Sequence, residues 1–173
     1  TLAGNGNGDD VLIGGAGNDT YILPANDDGA IINEQQDNGG GIDTILHSFD
    51  IDFLEPSIIG NVENLTVTGT GNTTAWGNAL NNVLTGNTGA NILKGAAGKD
   101  TINGGSGNDF LYGGAGNARL IGGGGNDSFV FNTALNKTTN IDTITDFNPI
   151  YVSVRLDNAV MAPYALFGAV ALG

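Results

Sequence analysis

Apolar residues along much of this chain come in very short runs between glycine-rich and polar stretches, and the runs return every nine positions. From Gly86 the sequence reads GNTGANILK, GAAGKDTIN, GGSGNDFLY, GGAGNARLI and GGGGNDSFV, ending at Val130. Two weaker copies precede this run, TGTGNTTAW from Thr68 and GNALNNVLT from Gly77, and a separate pair opens the chain, NGNGDDVLI from Asn5 and GGAGNDTYI from Gly14. A fixed period of this length overrides local propensity and marks a repeat architecture. Position 8 of the frame is apolar: Leu12, Tyr21, Leu84, Leu93, Ile102, Leu111, Leu120 and Phe129, with Ala75 as a weaker rung. Positions 6 to 9 therefore predict a very short strand whose position-8 side chain points inward. One such unit cannot close a turn and bury its own apolar residue. Two units per superhelical turn, with strands alternating between two parallel sheets, give a thin continuous core.

Outside the nonapeptides the pattern changes but stays strand-like. In DTILHSFDIDFLEPSIIGNVENLTVTG, from Asp43 to Gly69, Ile45, Phe49, Ile51 and Phe53 alternate with polar residues, as do Leu65 and Val67. The chain divides into a first repeat block over 4–37, a strand-rich connector over 38–67, a second repeat block over 68–131 and a C-terminal cap over 132–173.

Composition explains how so short a unit turns. Thirty glycines and 23 asparagines in 173 residues favour turns and left-handed backbone, and make a conventional helical core improbable. Glycine dominates positions 1, 2 and 4 of the frame, and Asp or Asn usually holds position 6. Eighteen acidic residues against five basic ones give a formal charge of −13, which argues against nucleic acid or an anionic membrane as partner and in favour of cations. There is no cysteine, hence no disulfide framework and no thiolate metal site. The longest apolar stretch, from Ala159, runs for about 15 residues, short of the roughly 20 a membrane-spanning helix needs. A start at Thr1 in mid-pattern reads as a mature or excised piece of something longer.

With two units per turn, residues 18 apart stack. Asp109 then lies over Asp127, and the same spacing links Asp10 to Asp28 and Asp19 to Asp37. Carboxylates one strand spacing apart, roughly 5 Å, repel unless a cation lies between them. Calcium suits such a place: it takes six to eight oxygens, and glycine-rich turns supply backbone carbonyls beside the carboxylates. Ala118 removes a carboxylate from the position paired with Asp100, and Asn82, Asn91 and Thr73 are neutral at position 6, so fewer or weaker sites are expected than coils.

These repeats resemble the RTX family of bacterial calcium-binding repeats, consensus GGxGxDxUx. The nearest copies are Gly14–Ile22, Gly104–Tyr112 and Gly122–Val130. The resemblance implies an all-β, right-handed parallel β-roll, a form of β-solenoid, in two blocks joined by the connector. It implies several calcium ions held by Asp10, Asp19, Asp28, Asp37, Asp43, Asp100, Asp109 and Asp127, with Gly14, Gly104 and Gly122 in the turns. The segment NTALNKTTNIDTITDFNP is similar to the cap of such rolls and implies late calcium ligands at Asp142 and Asp146. It further implies a secreted or bacterial surface protein exported by the type I secretion machinery.

Other chemistry finds little support. His47 is the sole histidine and reads as a structural strand residue. No G-x-S-x-G element exists, because Asn108 follows where the second glycine is needed, and Gly95–Lys99 lacks the first glycine of a phosphate loop. An EF-hand window from Asn5 has Asp10 where glycine is required and Ala16 where the bidentate Glu belongs. The chain is expected to be no enzyme itself. Two alternatives to a calcium-folded secretion module stand beside it: a structural or adhesive extracellular solenoid, and the non-catalytic C-terminal part of an exported hydrolase, protease or epimerase.

Overall fold

The computed structural model describes residues 1–6, 10–25, 30–34, 41–49, 51–52, 58–133 and 139–156. Among them are seventeen short strands, every pairing parallel, and no helix. In chain order they are β1 Leu2–Ala3, β2 Val11–Ile13, β3 Thr20–Leu23, β4 Ile31–Glu34, β5 Thr44–His47, β6 Ile51–Asp52, β7 Ile58–Gly60, β8 Asn64–Val67, β9 Thr74–Trp76, β10 Val83–Thr85, β11 Ile92–Lys94, β12 Thr101–Asn103, β13 Phe110–Tyr112, β14 Arg119–Ile121, β15 Ser128–Phe131, β16 Thr143–Ile144 and β17 Ser153–Leu156. They stack into an eight-stranded sheet, β1-β3-β5-β8-β10-β12-β14-β16, a six-stranded sheet, β17-β15-β13-β11-β9-β6, and a three-stranded sheet, β2-β4-β7. This is a parallel β-solenoid.

In the second block the period becomes register. Val83 pairs with Thr101 and Thr101 with Arg119, while Thr74 pairs with Ile92 and Ile92 with Phe110, so each coil takes 18 residues, two nonapeptides. Three-residue strands bury only their middle side chain. Ala75, Leu84, Leu93, Ile102, Leu111, Leu120 and Phe129 are each no more than 1% exposed and line the inside of the coils. Burying each leucine-sized side chain is worth about 1.5–3 kcal/mol, gained only because the coils above and below cover it.

The first block departs from that frame. Val11 pairs with Ile31, which places Ala30, not Asp28, beside Asp10. Thr20 pairs with Thr44, which places Asp43, not Asp37, beside Asp19. Both 18-residue stackings expected there are corrected by register: the segments between these strands are longer than a nonapeptide allows. Asp28 and Asp37 themselves lie outside the described residues. The connector is part of the solenoid as well, since β5 and β8 are interior strands of the eight-stranded sheet. Ile45, Leu65, Val67 and Val62 carry the core through it, and His47 is buried against Phe49, 5.8 Å between ring centroids, with Nδ1 on the Phe49 carbonyl.

Candidate metal centre

The residue before each strand, position 6 of the repeat, forms a column along each of the two large sheets. Along the eight-stranded sheet the column is Asp19, Asp43, Glu63, Asn82, Asp100, Ala118 and Asp142. Along the six-stranded sheet it includes Thr73, Asn91, Asp109 and Asp127. One carboxylate oxygen of each acid after Asp19 accepts the backbone N–H of its neighbour one coil earlier. Asp19 donates to Asp43 Oδ1 at 2.8 Å, Asp43 to Glu63 Oε2 at 2.9 Å, Asn82 to Asp100 Oδ1 at 2.9 Å and Ala118 to Asp142 Oδ1 at 2.9 Å. In the second column Asn91 donates to Asp109 Oδ1 at 2.7 Å and Asp109 to Asp127 Oδ1 at 3.0 Å.

The other oxygen decides the chemistry. Oδ2 of Asp100, Asp109 and Asp127 is buried with no hydrogen-bond partner. An unpartnered buried charge is costly, so burial pushes Asp100 up to about 6 and Asp109 up to about 7, against the lowering effect of the donated N–H. Burial raises Asp127 and Asp142 too. Each free oxygen abuts the glycine that opens its own turn: Gly95 for Asp100, Gly104 for Asp109 and Gly122 for Asp127. A Cβ on Gly104 would also lie 2.6 Å from the Gly122 carbonyl, and one on Gly95 2.8 Å from the Gly113 carbonyl. Unpaired carboxylate oxygens beside backbone carbonyls, with no nitrogen or sulfur donor among these groups, fit a hard divalent cation such as calcium.

The expected site residues fall into distinct places. Asp109 and Asp127 stack as read from the spacing, with Gly104 and Gly122 beside them. Asp142 fills the gap at Ala118: its carboxylate lies against Gly113, and its charge acts on Asp100. Asp146 accepts the N–H groups of Gly122 at 3.0 Å and Gly123 at 2.7 Å and pins that turn. Asp10 takes N–H bonds from Asn5, 2.6 Å from the backbone and 2.8 Å from Nδ2, away from both acidic columns.

Asp19 and Asp43 meet a third carboxylate, Glu34, all with ligand oxygens within 4.8 Å of one another. Tyr21 Oη donates to Glu34 Oε1 at 2.6 Å, and a Cβ on Gly14 would lie 2.8 Å from Asp19 Oδ2. Burial raises both Glu34 and Tyr21 above their ordinary ranges. Glu34 and Glu63 escape the nine-residue frame. Glu63-Asn64-Leu65 matches Asp43-Thr44-Ile45 and Asp19-Thr20-Tyr21 when strands rather than periods are aligned, and that was the signal available.

A parallel β-solenoid whose turns stack buried carboxylates with glycine carbonyls is a cation-binding β-roll. The RTX calcium-binding nonapeptide repeat model matches in four copies, over residues 6–23, 67–102, 76–111 and 95–129, so these stretches carry repeats of the RTX family. Its repeats bind calcium. Among curated proteins no sequence matches it. Residues 24–66 lie outside the matched stretches, yet they hold β5 and all but the last residue of β8, both interior strands of the eight-stranded sheet.

Proposed function

We propose that this chain is a calcium-dependent folding module of a protein exported through type I secretion, and that it acts by binding and folding rather than by catalysis. The observation that carries the reading is the set of three buried, unpartnered carboxylate oxygens at Asp100, Asp109 and Asp127. Bound calcium supplies the positive charge that makes those oxygens stable in a buried turn. Without it, the acids oppose the stacking that buries Leu93, Leu111 and Phe129. At low cytosolic calcium the chain stays open and exportable. At the 10⁻⁴–10⁻³ M range characteristic of extracellular calcium modules, binding is coupled to folding. Export and an extracellular or cell-surface setting are supported by the family resemblance; among the described residues no helix is long and apolar enough to cross a membrane.

Calorimetric titration tests the site. The wild-type chain is expected to take up several calcium ions, and Asp109→Ala to lose stoichiometry or affinity through both coils that share that carboxylate. Equal stoichiometry and equal affinity in the two proteins would remove Asp109 from the ligand set and with it the main support for the reading.

A further inference from the structure

Two backbone forms recur among the described turns of the roll, beside a mixed one beginning at Thr68 in which Gly69 is left-handed and Gly71 is not. In the turns beginning at Gly14, Gly95, Gly104, Gly113 and Gly122, positions 2 and 4 are both left-handed: φ is 77° and 98° at Gly15 and Gly17, 73° and 135° at Ala96 and Gly98, 96° and 119° at Gly105 and Gly107, 84° and 124° at Gly114 and Gly116, and 92° and 127° at Gly123 and Gly125. In the two consecutive turns beginning at Gly77 and Gly86, neither position is left-handed, although Gly89 holds position 4 of the second. Those two turns have asparagine at positions 2 and 6, Asn78 with Asn82 and Asn87 with Asn91.

The asparagines close on themselves. Asn82 Oδ1 accepts the Asn78 N–H at 2.9 Å, and Asn78 Oδ1 accepts the Leu80 N–H at 2.8 Å. Asn91 Oδ1 accepts the Asn87 N–H at 2.9 Å, and Asn87 Oδ1 accepts the Gly89 N–H at 2.7 Å. The amide nitrogens tie each turn to the coil before it. Asn82 Nδ2 donates to the Glu63 carbonyl at 3.1 Å, Asn91 Nδ2 to Thr73 Oγ1 at 3.0 Å, Asn78 Nδ2 to the Val62 carbonyl at 3.0 Å and Asn87 Nδ2 to the Gly71 carbonyl at 3.0 Å. Where Asp100, Asp109 and Asp127 each leave a buried oxygen without a partner, Asn82 and Asn91 present an N–H donor that finds one. A neutral amide carries no charge to be offset, and its donors take the place of a bound cation in joining adjacent coils.

We infer that residues 77–94, one complete coil, form a metal-independent rung on which the calcium-requiring coils that follow it assemble. The inference rests on the calcium reading above and adds an order to it. Strands β10 and β11 acquire protection first, and β12, β13 and β15 follow as calcium rises. Asp100 and Asp109 already use Oδ1 to receive the Asn82 and Asn91 N–H groups, so the rung presents an ordered edge to the first acidic coil.

Hydrogen exchange on the full chain across a calcium titration tests this. Amides of 83–85 and 92–94 are expected to gain protection at lower calcium than those of 101–103 and 110–112. Protection of all four strands at a single midpoint, or of 83–94 last, overturns the inference. The double variant Asn87→Gly with Asn91→Asp rebuilds a consensus turn around Gly89; it is expected to bind one further calcium ion by calorimetry and to shift protection of 92–94 to higher calcium. Unchanged stoichiometry and unchanged protection would also overturn it. A wild-type chain that binds no calcium contradicts the calcium reading itself, a result distinct from either of these.

Discussion

At Asp109 one oxygen holds the Asn91 N–H while the other faces Gly104 unpaired, and that asymmetry gives the free roll a pH dependence. Burial raises Asp109 to about 7 and Asp100 to about 6, above the ordinary carboxylate value the open chain retains. The folded state therefore binds more protons than the unfolded state between pH about 4 and about 7. In chelator the roll is expected to gain stability as pH falls from about 7 towards about 4 and to lose it as pH rises through that window. Saturating calcium, by occupying the same oxygens, should flatten the profile. Thermal melts at pH 5 and pH 8, with chelator and with calcium, check the sign; a chelator sample more stable at pH 8 would contradict it. Spacing alone revealed Asp109 and Asp127, because both lie in copies of unbroken length. It hid Glu34 and Glu63, because register in a solenoid is set strand against strand, and the connecting segments around them are longer than nine residues.

The turn is the element that makes the coils stack closely. Gly107 has φ of 119°, and a Cβ there would fall within van der Waals contact of the Gly89 carbonyl one coil away. Gly124, in the neighbouring coil, lacks a left-handed φ and has only Ser106 Oγ at 3.7 Å. Gly107→Ala is therefore expected to destabilise the calcium-loaded roll by roughly 1–3 kcal/mol from backbone conformation alone, with the clash added, and Gly124→Ala by about 0.5 kcal/mol or less. Melting temperatures of the two variants in calcium separate them; equal losses would count against stacked turns as the limiting contact. The three-residue strands from β9 to β14 are legible in the sequence as the apolar position 8 that returns every nine residues. The three-stranded sheet and the passage of β5 and β8 through the eight-stranded sheet were not. Alternation marks a strand, but it does not say which earlier strand receives it.

Over the whole molecule, the −13 charge and the narrow core act against each other. Each coil contributes little more than two inward side chains, so for the acidic coils ordering entropy is offset only when they stack on their neighbours and the columns of acid are neutralised. On the proposed function, cation binding and chain folding are one transition for the acidic coils, with the asparagine coil as a neutral rung beside them. Far-UV circular dichroism of the full chain at neutral pH, in millimolar calcium and in excess chelator, tests this most directly. The account predicts a strong β signal in calcium that is largely lost in chelator, leaving a minor residue from the neutral coil. A β signal of the same size in both samples would contradict it.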